Sequence, residues 1–132
     1  MSVESTKQVM LKYFGSTHGD TSMMADDVVF TIMDTGEEHL GPEGILQMLR
    51  DFYHGKFEAD VETTNTIFAD GQAVVEGYVA GKHTGIFAGV PATGKDVRMP
   101  ICVVYDLEKD KIKKGRVYVA SGVFLQQVGA LG

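Results

Sequence analysis

The stretch AGKHTGIFAGVPATGKDVRMP, residues 80–100, lies between two segments with β-strand periodicity. Its glycines and Pro91 favour turns and a close approach of the backbone. A phosphate-binding loop is excluded, because Lys95 is followed by Asp96 instead of Ser or Thr, and because a strand and not a helix follows. The stretch therefore predicts a connection between two long antiparallel strands.

Alternation of apolar and polar residues extends on both sides of this connection. It predicts four long strands, over residues 60–70, 73–85, 95–107 and 112–129. Asp70 and Gly71 form a hairpin turn between the first two, and residues 108–111 form the turn before the last. These strands would form an antiparallel meander.

The N-terminal third has mostly helical spacing. Ser2 and Gly15 delimit a first helix with Val3, Met10, Tyr13 and Phe14 on one face. The remaining elements are a short second helix within residues 17–27, a strand over 28–35 paired with 37–41, and a helix from 41 that ends near His54. The whole chain, residues 1–132, is therefore predicted to be one α+β domain with an antiparallel sheet that the helices cover.

Composition limits the partners. The formal net charge is −6, from 18 acidic and 12 basic residues, which argues against a nucleic-acid partner. Cys102 is the single cysteine, and neither a metal-ligand spacing nor a nucleotide or flavin motif is present, so we expect a site without cofactor or metal. We expect a cytoplasmic protein without a membrane partner, because the sequence has neither a signal peptide nor a long apolar run.

The quoted stretch, together with residues 111–119 and 125–129, resembles the SnoaL-like polyketide cyclases and ester cyclases of the nuclear transport factor two-like superfamily. Residues 27–30 and 41–52 also match the layout of that family. The positions that carry the resemblance are Gly81, His83, Gly85, Phe87, Gly89, Pro91, Thr93, Gly94, Lys95, Lys111, Ile112, Tyr118, Gln127, Val128 and Gly129.

The resemblance implies a cone-shaped fold, also called cystatin-like, in which a strongly curved antiparallel sheet wraps against the N-terminal helices around a deep apolar pocket. It also implies a homodimer and a small apolar or aromatic ligand. The aspartate that transfers protons in the characterised cyclases falls at Ala120, and no carboxylate lies nearby in the sequence. Two functions therefore stay open: a cofactor-free cyclase, isomerase or hydrolase of an apolar carbonyl or ester compound, and a non-catalytic binding or dimeric assembly domain.

Ionisable residues within apolar segments are the candidate site. His83 is the first catalytic candidate, because imidazole exchanges protons near neutral pH, although a single histidine on a strand is more often structural, here as a cap of the glycine-rich connection. Tyr118 is a candidate hydrogen-bond donor to a carbonyl, and Asp34 is a candidate acid at the end of a strand. The predicted ligand-binding residues are His39, Phe87, Glu76 and Met99.

Overall fold

The computed structural model describes residues 1–130. The helices in this range are α1 (Val3–Gly15), α2 (Gly41–Asp51) and α3 (Ser121–Gln127). The strands are β1 (Met24–Ile32), β2 (Glu37–Leu40), β3 (Phe57–Ala69), β4 (Gln72–His83), β5 (Asp96–Glu108) and β6 (Lys111–Val119). A 3₁₀-helical turn (Thr21–Met23) precedes β1, and a π-helical turn (Phe52–Lys56) follows α2.

The strands form a sheet in the order β2-β1-β6-β5-β4-β3. The predicted α+β fold is confirmed, as are the meander from β3 to β6 and the antiparallel pair of β1 and β2. One detail differs from the prediction: β1 runs parallel to β6, so the sheet is mixed. A parallel pair needs a long connection, and α2 and strands β2 to β5 lie between β1 and β6 in the chain.

The sheet is curled because β4 approaches β3 very closely. A Cβ atom added at Gly77 would lie 2.2 Å from the carbonyl oxygen of Glu62, and one added at Gly81 would lie 2.1 Å from that of Glu58. Only glycine therefore fits these inward positions without a shift of the backbone. A bulge in β3 adds to the local twist and bend.

Helix α1 begins and ends where its sequence signals predict. The Ser2 side chain accepts a hydrogen bond from the amide of Ser5 at 3.0 Å, and the Ser5 hydroxyl accepts one from the amide of Ser2 at 2.9 Å. Met10 and Tyr13 are buried, as the predicted apolar face requires, whereas Val3 is 51% exposed.

The prediction of one long strand over residues 112–129 is wrong. β6 ends at Val119, and the carbonyl of Ala120 then accepts hydrogen bonds from the amides of Val123 and Phe124, which starts α3. Phe124 and Val128 are buried on one face of this last turn, at the i, i+4 spacing of a helix. The apolar run was compatible with either period, and burial of Phe124 against the core decides for the helix.

Two helix predictions also change. Residues 17–27 hold only the 3₁₀-helical turn, because β1 begins at Met24 and so takes up the rest of that segment. Helix α2 ends at Asp51, and its predicted last turn is the π-helical turn, which carries the chain directly into β3.

Candidate active site

A cavity of about 850 Å³ lies between the inner face of the sheet and the helices. β5 contributes Ile101, Val103 and Tyr105, which are alternate residues of a strand and therefore share one face. The volume suits a small organic molecule. The other apolar lining residues are Phe14, Phe30, Ile32, Met48, Leu49, Phe52, Ala59, Val61, Val75, Ile86, Phe87, Ala88, Val117 and Val119.

Two segments supply most of the charged and polar side chains of the cavity. The first, from the turn after β1 into β2, holds Asp34 and His39, and the second runs from the end of α2 into β3. Asp34 is exposed, and one of its carboxylate oxygens accepts a hydrogen bond from the Ser121 hydroxyl at 3.3 Å. The His39 Nε2 atom lies 3.7 Å from a carboxylate oxygen of Glu37. Because most side chains of both segments are exposed, they mark where the cavity meets solvent.

Three tyrosines cluster at the inner end of the site. Tyr53 and Tyr105 line the cavity, and the ring centroid of Tyr13 lies 6.2 Å from that of Tyr105. Burial raises the pKa of all three phenols, and the neighbouring tyrosines raise the pKa values of Tyr13 and Tyr105 further. The phenols are therefore protonated at neutral pH and can act as hydrogen-bond donors. The Tyr13 hydroxyl is buried and has no hydrogen-bond partner within residues 1–130.

The structure brings together only some of the residues predicted for the site. Asp34, His39 and Phe87 line the cavity. Glu76 and Tyr118 line a different, shallow depression of about 360 Å³, on the face of the sheet that points away from the helices. Met99 is fully buried in the core and does not line the cavity. Their roles remain predictions.

His83 is also fully buried and lies outside the cavity lining. Its Nδ1 atom accepts a hydrogen bond from the amide of Thr93 at 3.3 Å and lies 2.9 Å from the Thr93 hydroxyl. Its backbone carbonyl accepts a hydrogen bond from the amide of Gly94 at 2.8 Å, and its amide donates to the carbonyl of Lys95 at 3.0 Å. Its ring packs edge-on against Phe124, with centroids 4.8 Å apart. The motif histidine therefore joins the two ends of the loop over residues 84–95.

Ala120, the position to which the resemblance assigns the aspartate of the cyclases, lies between β6 and α3. It borders the outer depression, while the preceding Val119 lines the cavity. No proton-transferring group of this chain comes from that position, so any acid or base must come from other lining residues.

Sequence reasoning missed Tyr105, Tyr53 and His18 as site residues. The signal for Tyr105 was its parity with Ile101, because both point to the inner face of β5. Tyr53 lies on the apolar face of the helix predicted from residue 41, and that position indicates only packing against the core. Nothing in the pattern around His18 distinguishes it from an ordinary loop histidine.

Within residues 1–130, no group of three or more His, Cys, Asp or Glu side chains is arranged to hold a metal ion. No helix in that range is long and apolar enough to cross a membrane.

A family model described as SnoaL-like polyketide cyclase matches residues 15–128. Because the match covers most of the sequence, the chain belongs to the SnoaL-like polyketide cyclase family. No curated protein matches the chain in sequence.

Solved structures agree on the fold. A candidate SnoaL-like polyketide cyclase from Jannaschia sp. CCS1 is similar with a TM-score of 0.81 and 17% identity, over 98% of this chain and 94% of that one. AclR, a candidate hydroxylase from Streptomyces galilaeus, gives 0.75 and 17%, over 99% and 100%. IdmH, a candidate polyketide cyclase from Streptomyces antibioticus, gives 0.71 and 20%, over 98% and 99%. These TM-scores establish a shared fold. The low sequence identities leave the reaction open.

Proposed function

We propose that this protein is a cofactor-free enzyme of cyclase or isomerase type that acts on a small, largely apolar carbonyl compound. Membership of the SnoaL-like polyketide cyclase family supports a role of this type. The observation that carries the proposal is an apolar cavity of about 850 Å³ with neutral phenol groups inside it and a carboxylate where it meets solvent.

The tyrosines would stabilise the negative charge that forms on the carbonyl oxygen. When a proton leaves the carbon next to a carbonyl group, the electron pair moves onto oxygen and gives an enolate. Tyr53 and Tyr105 offer O–H donors in a cavity with a mostly apolar lining, and in such surroundings hydrogen bonds stabilise charge more strongly than in water. Tyr13, buried behind them, would hold these phenols in place through its ring contact with Tyr105.

Asp34 would accept the proton. Asp34 lines the cavity just after the end of β1. The hydrogen bond that its carboxylate accepts from the Ser121 hydroxyl limits the rotation of its side chain. In an isomerisation, the proton then returns from Asp34 to another carbon of the enolate. In a cyclisation, the enolate carbon attacks a second carbonyl of the same molecule, and the proton passes to the new alkoxide. We propose structural roles for His83 and Tyr118, since neither lines the cavity.

An assay with a surrogate ketone, which does not require the natural substrate, can test this proposal. The protein is incubated in D₂O with 2-tetralone, and ¹H NMR follows the exchange of the protons next to its carbonyl. We expect acceleration over buffer, a loss of roughly 100-fold or more in Asp34→Asn, and a loss of roughly 100-fold in Tyr105→Phe. Asp26→Asn is the matched control, because Asp26 is exposed on β1 and lies outside the cavity lining.

The absence of a carboxylate at Ala120 favours a second candidate, a binding protein without catalysis. Saturable binding of 2-tetralone to the wild type without any accelerated exchange would favour this second function and contradict the first. Acceleration that persists in Asp34→Asn would instead contradict the role of that residue alone.

We also infer a homodimer that forms through the outer face of the sheet. Two arginines on that face are paired, Arg98 with Glu62 at 3.4 Å and Arg116 with Asp106, and Tyr118 is 43% exposed there. Burial of these two pairs would not isolate a charge. Light scattering should give twice the monomer mass of 14.3 kDa, and Tyr118→Glu should return the protein to that value.

A further inference from the structure

His18 lines the cavity, its ring packs against Tyr13 and Phe14, and within residues 1–130 the ring has no hydrogen bond or ion pair. The other three histidines are placed differently. His83 is buried and bonded within its loop. His39 and His54, which also line the cavity, lie 3.7 and 3.4 Å from glutamate carboxylates. The hydrogen-bonding capacity of His18 is therefore available to a molecule in the cavity.

The imidazole of His18 is held in place and uncharged. Its ring packs edge-on against Tyr13, with centroids 4.9 Å apart, and against Phe14, with centroids 5.6 Å apart. Burial lowers the pKa of His18 below the ordinary histidine value, so the ring is neutral at neutral pH. A neutral imidazole has one N–H donor and one lone-pair acceptor. It can therefore bond a hydroxyl or a carbonyl without bringing a charge into an apolar site.

The backbone that presents this ring is strained. Thr17 and His18 have φ angles of 56° and 63°, in the left-handed region that favours glycine. Their amides donate to the carbonyls of Phe14 at 3.1 Å and Tyr13 at 3.2 Å, which fixes this turn at the end of α1. Strain of this kind is concentrated at ligand sites. Here its result is that the imidazole reaches the cavity wall.

His18 and Tyr105 occupy separate positions on the cavity wall. The ring centroid of Tyr13 lies 4.9 Å from that of His18 and 6.2 Å from that of Tyr105, so Tyr13 contacts both rings. A ligand with two oxygen atoms can therefore bond the imidazole with one oxygen and the phenol with the other.

We propose that His18 binds the substrate directly, through a hydrogen bond to an oxygen that the substrate carries away from its reacting carbonyl. The ligand class is then an apolar carbonyl compound that carries a hydroxyl or second carbonyl away from its reacting carbonyl. This inference rests on the proposed function only in that the cavity must hold the substrate. It adds the His18 imidazole as the group that recognises the second oxygen of the substrate.

Two probes that differ by one hydroxyl test the proposal. 2-Acetylnaphthalene and 2-acetyl-6-hydroxynaphthalene are titrated into the full chain, and binding is followed by fluorescence. We expect the wild type to bind the hydroxylated probe about five- to tenfold more tightly, which is the effect of one hydrogen bond. His18→Phe keeps a ring without nitrogen atoms and should remove the preference. Asp26→Asn, a change outside the cavity lining, should retain it.

A second variant and a direct signal make the outcome independent of folding problems. His18→Gly adopts the left-handed backbone without strain, so it should fold and also lose the preference. In protein labelled with ¹⁵N-histidine, the ring nitrogen signals of His18 should shift when the hydroxylated probe binds, and those of His83 should not.

The possible failures separate this proposal from the proposed function. If both His18 variants keep the preference, or the His18 ring signals are unchanged at saturation, the role of His18 is overturned while the deuterium-exchange result still stands. If the wild type binds both probes equally tightly, or binds neither, the role of His18 is overturned as well, whereas the proposed function is decided separately by the deuterium exchange of 2-tetralone.

Discussion

Replacing His83 by alanine should destabilise the protein, because His83 joins the two ends of the loop over residues 84–95. The same replacement should leave proton exchange in the cavity unchanged. The imidazole is fully buried against Phe124 and accepts a hydrogen bond from Thr93. Removing a buried side chain of this size costs about 2–3 kcal/mol through lost packing and the cavity that remains. Loss of the hydrogen bond adds about 1 kcal/mol. We therefore expect His83→Ala to lower the free energy of unfolding by about 3–4 kcal/mol.

Urea unfolding followed by circular dichroism measures this change. For a chain of this length, it corresponds to a decrease in Tm of roughly 10–15 °C. Thr93→Val should cost about 1 kcal/mol, and the double variant should cost less than the sum of the two, because both remove the contact between the Thr93 hydroxyl and Nδ1 of His83. His54→Ala is the control, since His54 is exposed and its loss should change stability little.

The same samples decide between the structural and the catalytic assignment of His83. With a structural role, His83→Ala that is still folded should bind 2-tetralone and exchange its protons at the wild-type rate. Unchanged stability combined with lost exchange at full occupancy of 2-tetralone would refute the reasoning from packing and return His83 to the reaction.

Three further predictions concern stability, and urea unfolding measures each. Gly81→Ala should destabilise by about 2 kcal/mol or more because its Cβ would overlap the backbone of β3, whereas Gly122→Ala, with open space around it, should be neutral or stabilising; equal effects would contradict the close approach. Lys109 and Asp110 both have positive φ in the two-residue turn between β5 and β6, so changing them together to Asn-Gly should stabilise by about 1 kcal/mol, and a decrease would exclude that turn geometry. The Arg116 guanidinium holds the pKa of Asp106 below its ordinary value, so this carboxylate stabilises the fold above pH 4 and loses that contribution as acid protonates it; Asp106→Asn should lose less stability than the wild type between pH 6 and pH 3, and an identical loss would contradict the pairing.

Much of the fold was predictable because its signals are local. Ser2 caps α1 through the residues that follow it, and Asp70-Gly71 lies between two segments of period two. Helix α3 was not predictable in the same way. A short apolar run fits either a strand or a helix, and the choice follows from the burial of Phe124 beside Phe57, which is distant in sequence.

The site was less predictable than the fold. The glycine-rich motif made His83 the first catalytic candidate. The motif does correspond to a constrained loop, but a sequence motif does not determine the direction of a side chain. Asp34 lies at the cavity and is a residue type suited to proton transfer. Tyr105 required the parity of β5, and that parity gives a functional meaning only once the inner face is known to enclose a cavity.

The sequence by itself determined the order of the strands along the chain, the cap of α1, the hairpin turns and the family, because each depends on neighbours within a few residues or on a long matching motif. Only the tertiary structure decided that β1 pairs with β6 in parallel, that His83 is closed inside its loop, and that His18 faces the cavity. These outcomes depend on contacts between residues far apart in the chain, and the close approach of β3 and β4 at Gly77 and Gly81 creates the curvature that encloses the site.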